Sequence, residues 1–202
     1  KTVIRKIPKD VTSKEIITLL DGGITSLPFL RDKGKIEKGQ KVLIIGASGS
    51  VGSFGVTLAK HYGANVTGVC STLNTELVVK HGCDEVIDYK KIDYTKLDNE
   101  YDIIFDAVGK SSFASCKKIL SKEGRYLSTV PTIGVMFKSL FVKEQKGKKN
   151  MFAATGLRKL LQKHEDLELL ENLLIQGKIK PLIDKEYPIN EMISAQKYVE
   201  SG

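Results

Sequence analysis

The sequence predicts an α/β fold: a doubly wound parallel sheet with helices on both faces. Three observations predict it. Short apolar, β-branched runs recur along the 202 residues, at Lys41–Ile45, Asn65–Cys70, Glu85–Asp88 and 101–107. Stretches of helical periodicity separate most of these runs, and strands alternating with helices are how a chain builds parallel strands through crossovers. The first run, Lys41-Val42-Leu43-Ile44-Ile45, is apolar almost throughout instead of alternating, as a strand buried on both faces must be.

Taken in order, Thr12-Ser13-Lys14-Glu15 places a hydroxyl three residues before a glutamate, a capping box that starts a helix near Ser13. Asp21-Gly22-Gly23 interrupts that helix, and Ile24 to Leu30 resumes the pattern. The strand Lys41–Ile45 follows, bounded by glycines on both sides. After Gly52, the residues Phe54, Val56, Leu58, Ala59 and Tyr62 recur at helical spacing until Gly63, which supplies the left-handed helix stop. The strand Asn65–Cys70, a helix over 74–81 and the strand Glu85–Asp88 come next. A strand over 101–107, a helix over 112–120 and a strand over 124–130 complete the alternation. A last strand is expected near 150–154, after the lysine cluster of 143–149. Leu167, Leu169, Leu170, Leu173, Leu174 and Ile175 form a helix ended by Gly177, and a final helix spans 190–200 with Asn190 as its N-cap after Pro188. No internal repeat of fixed period is present.

Composition bounds the function classes. Apolar residues make up 41% of the chain and charged residues 28%, an ordinary globular balance that excludes disorder and collagen-like structure. No apolar run approaches the ~20 residues that span a bilayer, and the N-terminal residues lack the pattern of a signal peptide. Cys70, Cys83 and Cys116 are odd in number and have no C-x-x-C spacing, which argues against a disulfide framework and fits a reducing cytoplasm. The net charge of +8 comes mostly from scattered lysines, and the cluster of 143–149 has no interleaved aromatics. It reads as a solubility device and not a nucleic-acid surface.

The segment with chemistry in it is Gly46-Ala47-Ser48-Gly49-Ser50-Val51-Gly52, set between an apolar strand and an amphipathic helix. Glycines there let the backbone approach a pyrophosphate, and the amides and dipole of the helix start favour its charge. The spacing is G-x-x-G-x-x-G, and no Gly-Lys-Ser/Thr follows that would make it a mononucleotide loop. The competing reading is a tight strand-to-helix turn that binds nothing. About 20 residues on, where an acidic residue would hold the 2′-hydroxyl of NAD, the chain has Val69-Cys70-Ser71-Thr72. Small hydroxyls and Asn74 can donate to a 2′-phosphate, with Lys90 or Lys91 as a source of charge, so NADP is preferred over NAD. Ser71 and Thr72 also suit a helix N-cap, and the two roles are compatible.

Further wording extends the pattern: Gly22-Gly23-Ile24-Thr25, V-C-S-T-L-N-T-E-L-V from Val69, D-E-V-I-D-Y from Asp84, F-D-A-V-G from Phe105, G-K-I-K-P-L-I-D from Gly177, and A-Q-K-Y-V-E-S-G at the end. Together these resemble the medium-chain dehydrogenase/reductase superfamily, on its quinone oxidoreductase and zinc-type alcohol dehydrogenase-like side. The resemblance runs over essentially all 202 residues. It implies a Rossmann-type coenzyme domain over residues 1–202, with 1–38 as a helical lead-in, and hydride transfer between a nicotinamide and a quinone, enone or small carbonyl. It also implies a preceding GroES-like catalytic domain that is not in this sequence, so the chain is expected to be a coenzyme-domain fragment unable to turn over substrate alone.

Carried over residue by residue, the resemblance puts the backbone of Ser48, Gly49, Ser50 and Val51 on the pyrophosphate. Ser71, Asn74 and Tyr89 would surround the 2′-phosphate, and Val108 and Gly109 would lie beside the cofactor. Thr129 and Val130 would neighbour the nicotinamide, with Phe152 and Thr25 as weaker candidates. Tyr89 could equally be a half-buried strand-end aromatic and Thr25 a packing residue. Where zinc-dependent relatives carry a cysteine before the Gly-x-Thr turn, this chain has Asp21, which favours a zinc-free reductase. His61, His81 and His164 are expected to be surface or packing residues, and no general acid or base is evident. A zinc-dependent alcohol dehydrogenase is the alternative enzyme, and a nucleotide-sensing or RNA-binding module the non-enzyme alternative. A homodimer formed through the sheet edge is expected.

Overall fold

The computed structural model describes residues 5–130, 143–145, 147–152 and 158–200. Its centre is a seven-stranded sheet built from β1 (Lys41–Ile45), β2 (Asn65–Cys70), β3 (Glu85–Asp88), β4 (Tyr101–Asp106), β5 (Leu120–Ser128), β6 (Lys143–Gln145) and β7 (Lys148–Phe152). The strand order is β3-β2-β1-β4-β5-β7-β6, parallel throughout except for β6, which runs antiparallel to β7. The order reverses between β1 and β4, so the crevice at their C-terminal ends is the topological switch point where open α/β sheets bind ligands.

The helices are α1 (Ser13–Thr18), α2 (Ile24–Leu27), α3 (Ser50–His61), α4 (Thr75–Lys80), α5 (Phe113–Cys116), α6 (Leu160–Ile175) and α7 (Met192–Glu200). None among the described residues is long and apolar enough to cross a membrane. Side chains alternate across the strands, as the pleat requires. Val42, Ile44, Ile103, Phe105 and Leu127 face α3, α6 and the N-terminal helices, whereas Leu43, Ile45, Val69, Ile104 and Tyr126 face Cys116, Ile119 and Leu120. The doubly wound architecture expected from the sequence is therefore the one observed.

Several expectations are corrected. Asp21-Gly22-Gly23 does not break the first helix: Leu19–Gly23 and Pro28–Lys33 are π-helical turns that carry the helical backbone from Ser13 to Lys33. The glycines are there for contact, since a Cβ at Gly22 would lie 2.5 Å from Phe54 and 2.6 Å from the Ser50 carbonyl oxygen. The N-terminal region is also more than a lead-in. Leu19, Leu27, Phe29 and Leu30 are fully buried, and the Phe29 ring packs 5.4 Å from that of Phe105.

The helix expected over 112–120 shrinks to α5 and a 3-10 turn, Lys117–Ile119, because β5 already starts at Leu120 and pairs with Tyr101 before a register shift. The last strand begins at Lys148, inside the lysine cluster, and β6 pairs back onto it. Lys148 belongs there because its ammonium donates to the carbonyl oxygens of Lys117 (2.9 Å) and Leu120. Asn190 is not a cap: Pro188 precedes a 3-10 turn, Ile189–Glu191, and its carbonyl takes the Glu191 N–H at 2.9 Å, so α7 starts only at Met192.

Candidate functional site

The glycine segment forms a tight turn at the top of β1. Gly46 and Ala47 both donate to the Val69 carbonyl at 3.0 Å, which ties the turn to β2, and Gly46 has φ +82° with a would-be Cβ 2.6 Å from Val108. Gly52 is needed by the fold itself, since a Cβ would lie 2.0 Å from the Gly46 carbonyl oxygen. Gly49 is different. It is the N-cap of α3 in extended backbone, φ −80° and ψ 170°, and the nearest atom to a would-be Cβ is the Gly46 oxygen at 3.6 Å. The fold leaves the space over Gly49 open, in the place where a pyrophosphate would need it. Its own N–H turns inward to the Gly46 carbonyl at 3.1 Å, so the expectation that Gly49 would donate to phosphate gives way to a steric role. The N–H groups of Ser50, Val51 and Gly52, in the first turn of a 12-residue helix, have no intrahelical acceptor. Ser50 presents its hydroxyl to Asp21 Oδ2 at 2.7 Å, and Ser26 Oγ donates to the Val51 carbonyl at 2.7 Å. Thr25 is half-buried beside Ser26 on α2.

Across the crevice, β4 ends in Asp106, which is fully buried. Its Oδ1 accepts from the N–H groups of Val108 (3.2 Å) and Gly109 (2.8 Å), and its Oδ2 from the Ser111 N–H (3.0 Å) and the Tyr126 hydroxyl (2.8 Å). Burial, and then the neighbouring carboxylate, raise the Tyr126 phenol well above its usual range, so it serves as a donor. The strand-end carboxylate thus folds the loop over itself in an Asx-type turn. Gly109 has φ +68°, and a Cβ there would lie 2.6 Å from Val130. Thr129 donates its N–H to the Asp106 carbonyl (3.1 Å) and its hydroxyl to the Ala107 carbonyl (3.2 Å). Val108 and Val130 stay 43% and 46% exposed, an apolar shelf facing the crevice. Val108 and Gly109, expected beside the cofactor, and Thr129 and Val130, expected near the nicotinamide, are therefore brought together. Phe152 pairs through its backbone with Ser128, and its side chain lies outside the described residues.

At the other end of the crevice, the Asn74 amide donates to Ser48 Oγ (3.2 Å) and Ser71 Oγ (3.3 Å), gathering three of the expected residues. Ser71 precedes a 3-10 turn but makes no side-chain cap there. Tyr89 is 53% exposed just past β3. The structure adds one group that strand-end reasoning did not place here. Asp88 accepts the Thr72 hydroxyl at 2.6 Å, and Lys91 lies 3.6 Å from the same carboxylate. Thr72 is consequently not free to donate to a phosphate, and Lys91 is partly neutralised. The Thr72 bond holds the Asp88 carboxyl below the usual range despite some opposing desolvation.

Of the histidines expected at the surface or in packing, His61 is half-buried with its ring 5.2 Å from that of Tyr62, His81 is half-buried with Nε2 3.2 Å from the Ser53 carbonyl oxygen, and His164 is exposed with Nδ1 2.7 Å from Arg5 Nη1. Asp21 is engaged by Ser50, and among the described residues no group of three or more His, Cys, Asp or Glu side chains could hold a metal ion. Two hollows, one of about 260 Å³ at the N-terminal strand ends and one of about 650 Å³ between α1 and α7, share no residue with the crevice. Sequence reasoning missed Asp106 and Asp88. The available signal for Asp106 was an acidic residue closing an otherwise apolar strand with a glycine three positions on.

A family model described as zinc-binding dehydrogenase matches residues 81–202. The chloroplast envelope quinone oxidoreductase homolog of Arabidopsis thaliana is 30% identical over 195 residues, covering 92% of this chain and 58% of that protein. The mitochondrial NAD(P)H oxidoreductase RTN4IP1 of Mus musculus is 30% identical over 219 residues, covering 96% and 54%. The solved quinone oxidoreductase of Coxiella burnetii superposes with a TM-score of 0.82 at 21% identity, covering 98% of this chain and 60% of that one, a likeness of fold. The chain spans little more than half the length of these curated relatives. Over that span the sheet order, the glycine turn and the family match agree: the chain belongs to the zinc-binding dehydrogenase family, on its quinone oxidoreductase-like side.

Proposed function

We propose that this chain is the coenzyme-binding domain of an NADP(H)-dependent oxidoreductase that transfers hydride to a quinone, enone or small carbonyl. The observation that carries the reading is Gly49, whose missing side chain is required by nothing in the fold and leaves a cradle in front of the free amides of α3. The pyrophosphate would rest on the backbone of Ser48, Ser50 and Val51 over Gly49. Ser71, Asn74 and Tyr89 would hold the adenosine end, and Val108, Gly109, Thr129 and Val130 the nicotinamide end. The nicotinamide supplies a hydride when bound; the chain's own part is to fix its orientation and shield one face, so the power lies in positioning.

NADP is favoured by the absence of an acidic residue at the end of β2 and by Asn74 with its two serines, while Asp88 narrows the preference. Substrates are proposed from the relatives, whose names include quinone and alkenal/one oxidoreductases. The outer side of the edge strand β6 makes it the contact proposed for a homodimer. The three buried, unpaired thiols fit the cytoplasm as compartment, with chloroplast and mitochondrial relatives setting the alternatives for a fractionation experiment. Titration with NADPH and NADH, followed by nicotinamide fluorescence, tests the core of the reading. Saturable binding tighter for NADPH is expected, and no binding of either refutes it.

A further inference from the structure

Among the described residues Asp106 is the one fully buried carboxylate at the crevice, and it accepts four hydrogen bonds. Two donors meet each oxygen. Three of the four donors are loop amides within four residues, Val108, Gly109 and Ser111, and the fourth, Tyr126, stands on β5. The loop is thereby fastened at one end to β4 and β5. At the other it is locked by contact: Val108 sits on the Cα of Gly46, where a Cβ would be 2.6 Å away, and Val130 on the Cα of Gly109 at the same separation. A loop held this tightly ordinarily serves its own burial, yet both valines remain nearly half exposed toward the crevice.

We infer that Asp106 is a positioning residue for the nicotinamide half of the coenzyme: its carboxylate holds Val108 and Gly109 in the turn that presents the Val108–Val130 shelf. The inference rests on the coenzyme reading above and deepens it. It assigns Asp106 no contact with the coenzyme and no proton transfer. The residues proposed for the adenosine half, Ser48, Ser71 and Asn74, bond to one another, and among the described residues they share no hydrogen bond with this loop. The two halves of one ligand therefore report on different parts of the structure.

The test compares NADPH with the adenosine fragment alone, offered as 2′,5′-ADP, on the purified protein and on Asp106→Ala and Asp106→Asn. Alanine leaves three amides and a phenol without an acceptor, and NADPH is expected to weaken by about tenfold, the low end of what unsatisfied buried donors cost. The 2′,5′-ADP affinity is expected to stay within about twofold of the parent. Asparagine should rescue most of the loss, because its oxygen still serves Val108 and Gly109, the two amides of the shelf turn, while its NH2 can donate to the Tyr126 oxygen and only the Ser111 amide and the Tyr126 hydroxyl proton lose their acceptor. Equal weakening of both ligands, or none for NADPH, overturns the inference by reducing Asp106 to a structural residue. Should the alanine variant fail to fold, amide exchange on the parent decides. The Val108, Gly109 and Ser111 amides should exchange slowly and be slowed further by NADPH but not by 2′,5′-ADP; fast exchange, or equal slowing by both, overturns it. Failure of the parent to bind either ligand overturns the coenzyme reading itself, and this inference falls with it.

Discussion

Gly49 and Gly52 lie three residues apart in one motif, yet the structure gives them separate duties that substitution can pull apart. In Gly49→Val the new Cβ meets only the Gly46 oxygen at 3.6 Å, an ordinary contact, and the backbone at φ −80°, ψ 170° suits any residue. The fold loses only the preference of an N-cap for glycine over valine, about 0.5–1 kcal/mol. In Gly52→Ala the Cβ would lie 2.0 Å from the Gly46 oxygen, 2.7 Å from its carbonyl carbon and 3.0 Å from Ala47 Cα, all backbone that cannot swing aside. Overpacking of that kind costs about 3 kcal/mol, and gained helix propensity returns about 1 kcal/mol. A net loss of about 2 kcal/mol lowers the Tm by roughly 4–8 °C for a chain of this size, against less than about 4 °C for Gly49→Val. Binding should reverse the ranking of damage per degree: Gly49→Val fills the cradle and weakens NADPH by at least about tenfold, or 1.4 kcal/mol, while remaining nearly as stable as the parent. Differential scanning calorimetry and fluorescence titration on the same samples read both quantities. Parental NADPH affinity in Gly49→Val would refute the placement of the pyrophosphate, and an unchanged Tm in Gly52→Ala would refute the packing argument.

Asp88→Asn removes a negative charge from the adenosine end and loosens the hold on Thr72, so the ratio of NADH to NADPH dissociation constants should rise; an unchanged ratio places Asp88 outside the binding site. The same variant has a pH signature. Because the Thr72 hydroxyl holds the Asp88 carboxyl low, its stabilising bond is complete above the ordinary carboxylate value of about 3.9 and is lost as pH falls through Asp88's own lower value, so Asp88→Asn should flatten the acid limb of the stability curve. Asp166 is only 2% exposed in its side chain and sits 2.7 Å from Arg31 and 2.8 Å from Arg158, joining α6 to the π-helical turn at Pro28–Lys33. Asp166→Ala leaves Arg31 and Arg158 with Asp32 as their shared partner and should cost about 1.5–3 kcal/mol in denaturant melts. Burial raises the thiols of Cys70 and Cys116 and pushes that of Cys83 up to about 12, so native protein should resist alkylation at pH 8 and react at all three thiols only in denaturant.

The strands were readable because each carries its own evidence. Lys41–Ile45, Asn65–Cys70 and Glu85–Asp88 coincide with the predicted runs, since apolar density and flanking glycines are local properties. The glycine turn was readable for the same reason, and Gly63 and Gly177 take positive φ as expected of helix stops. The N-terminal helix was misread at Asp21-Gly22-Gly23 because a glycine pair ordinarily breaks a helix, and only the closeness of α3 to Gly22 and of Leu170 on α6 to Gly23 explains two of them inside one. β6 was missed because a short edge strand of polar residues has no apolar signature; its pairing with β7 defines it.

The amino-acid order by itself thus determined the alternation of elements, the parallel sheet and the position of the glycine turn, because propensity, periodicity and glycine conformation act over a few neighbours. Tertiary structure alone decided which glycine the packing requires, Gly52, and which it leaves with open space, Gly49. It also brought Asp88 to Thr72, sixteen residues earlier in the chain, and Tyr126 to Asp106, twenty residues apart. Those pairings exist only because adjacent strands end at the same level, and side-chain bonds between strands depend on register, which no short stretch of sequence encodes.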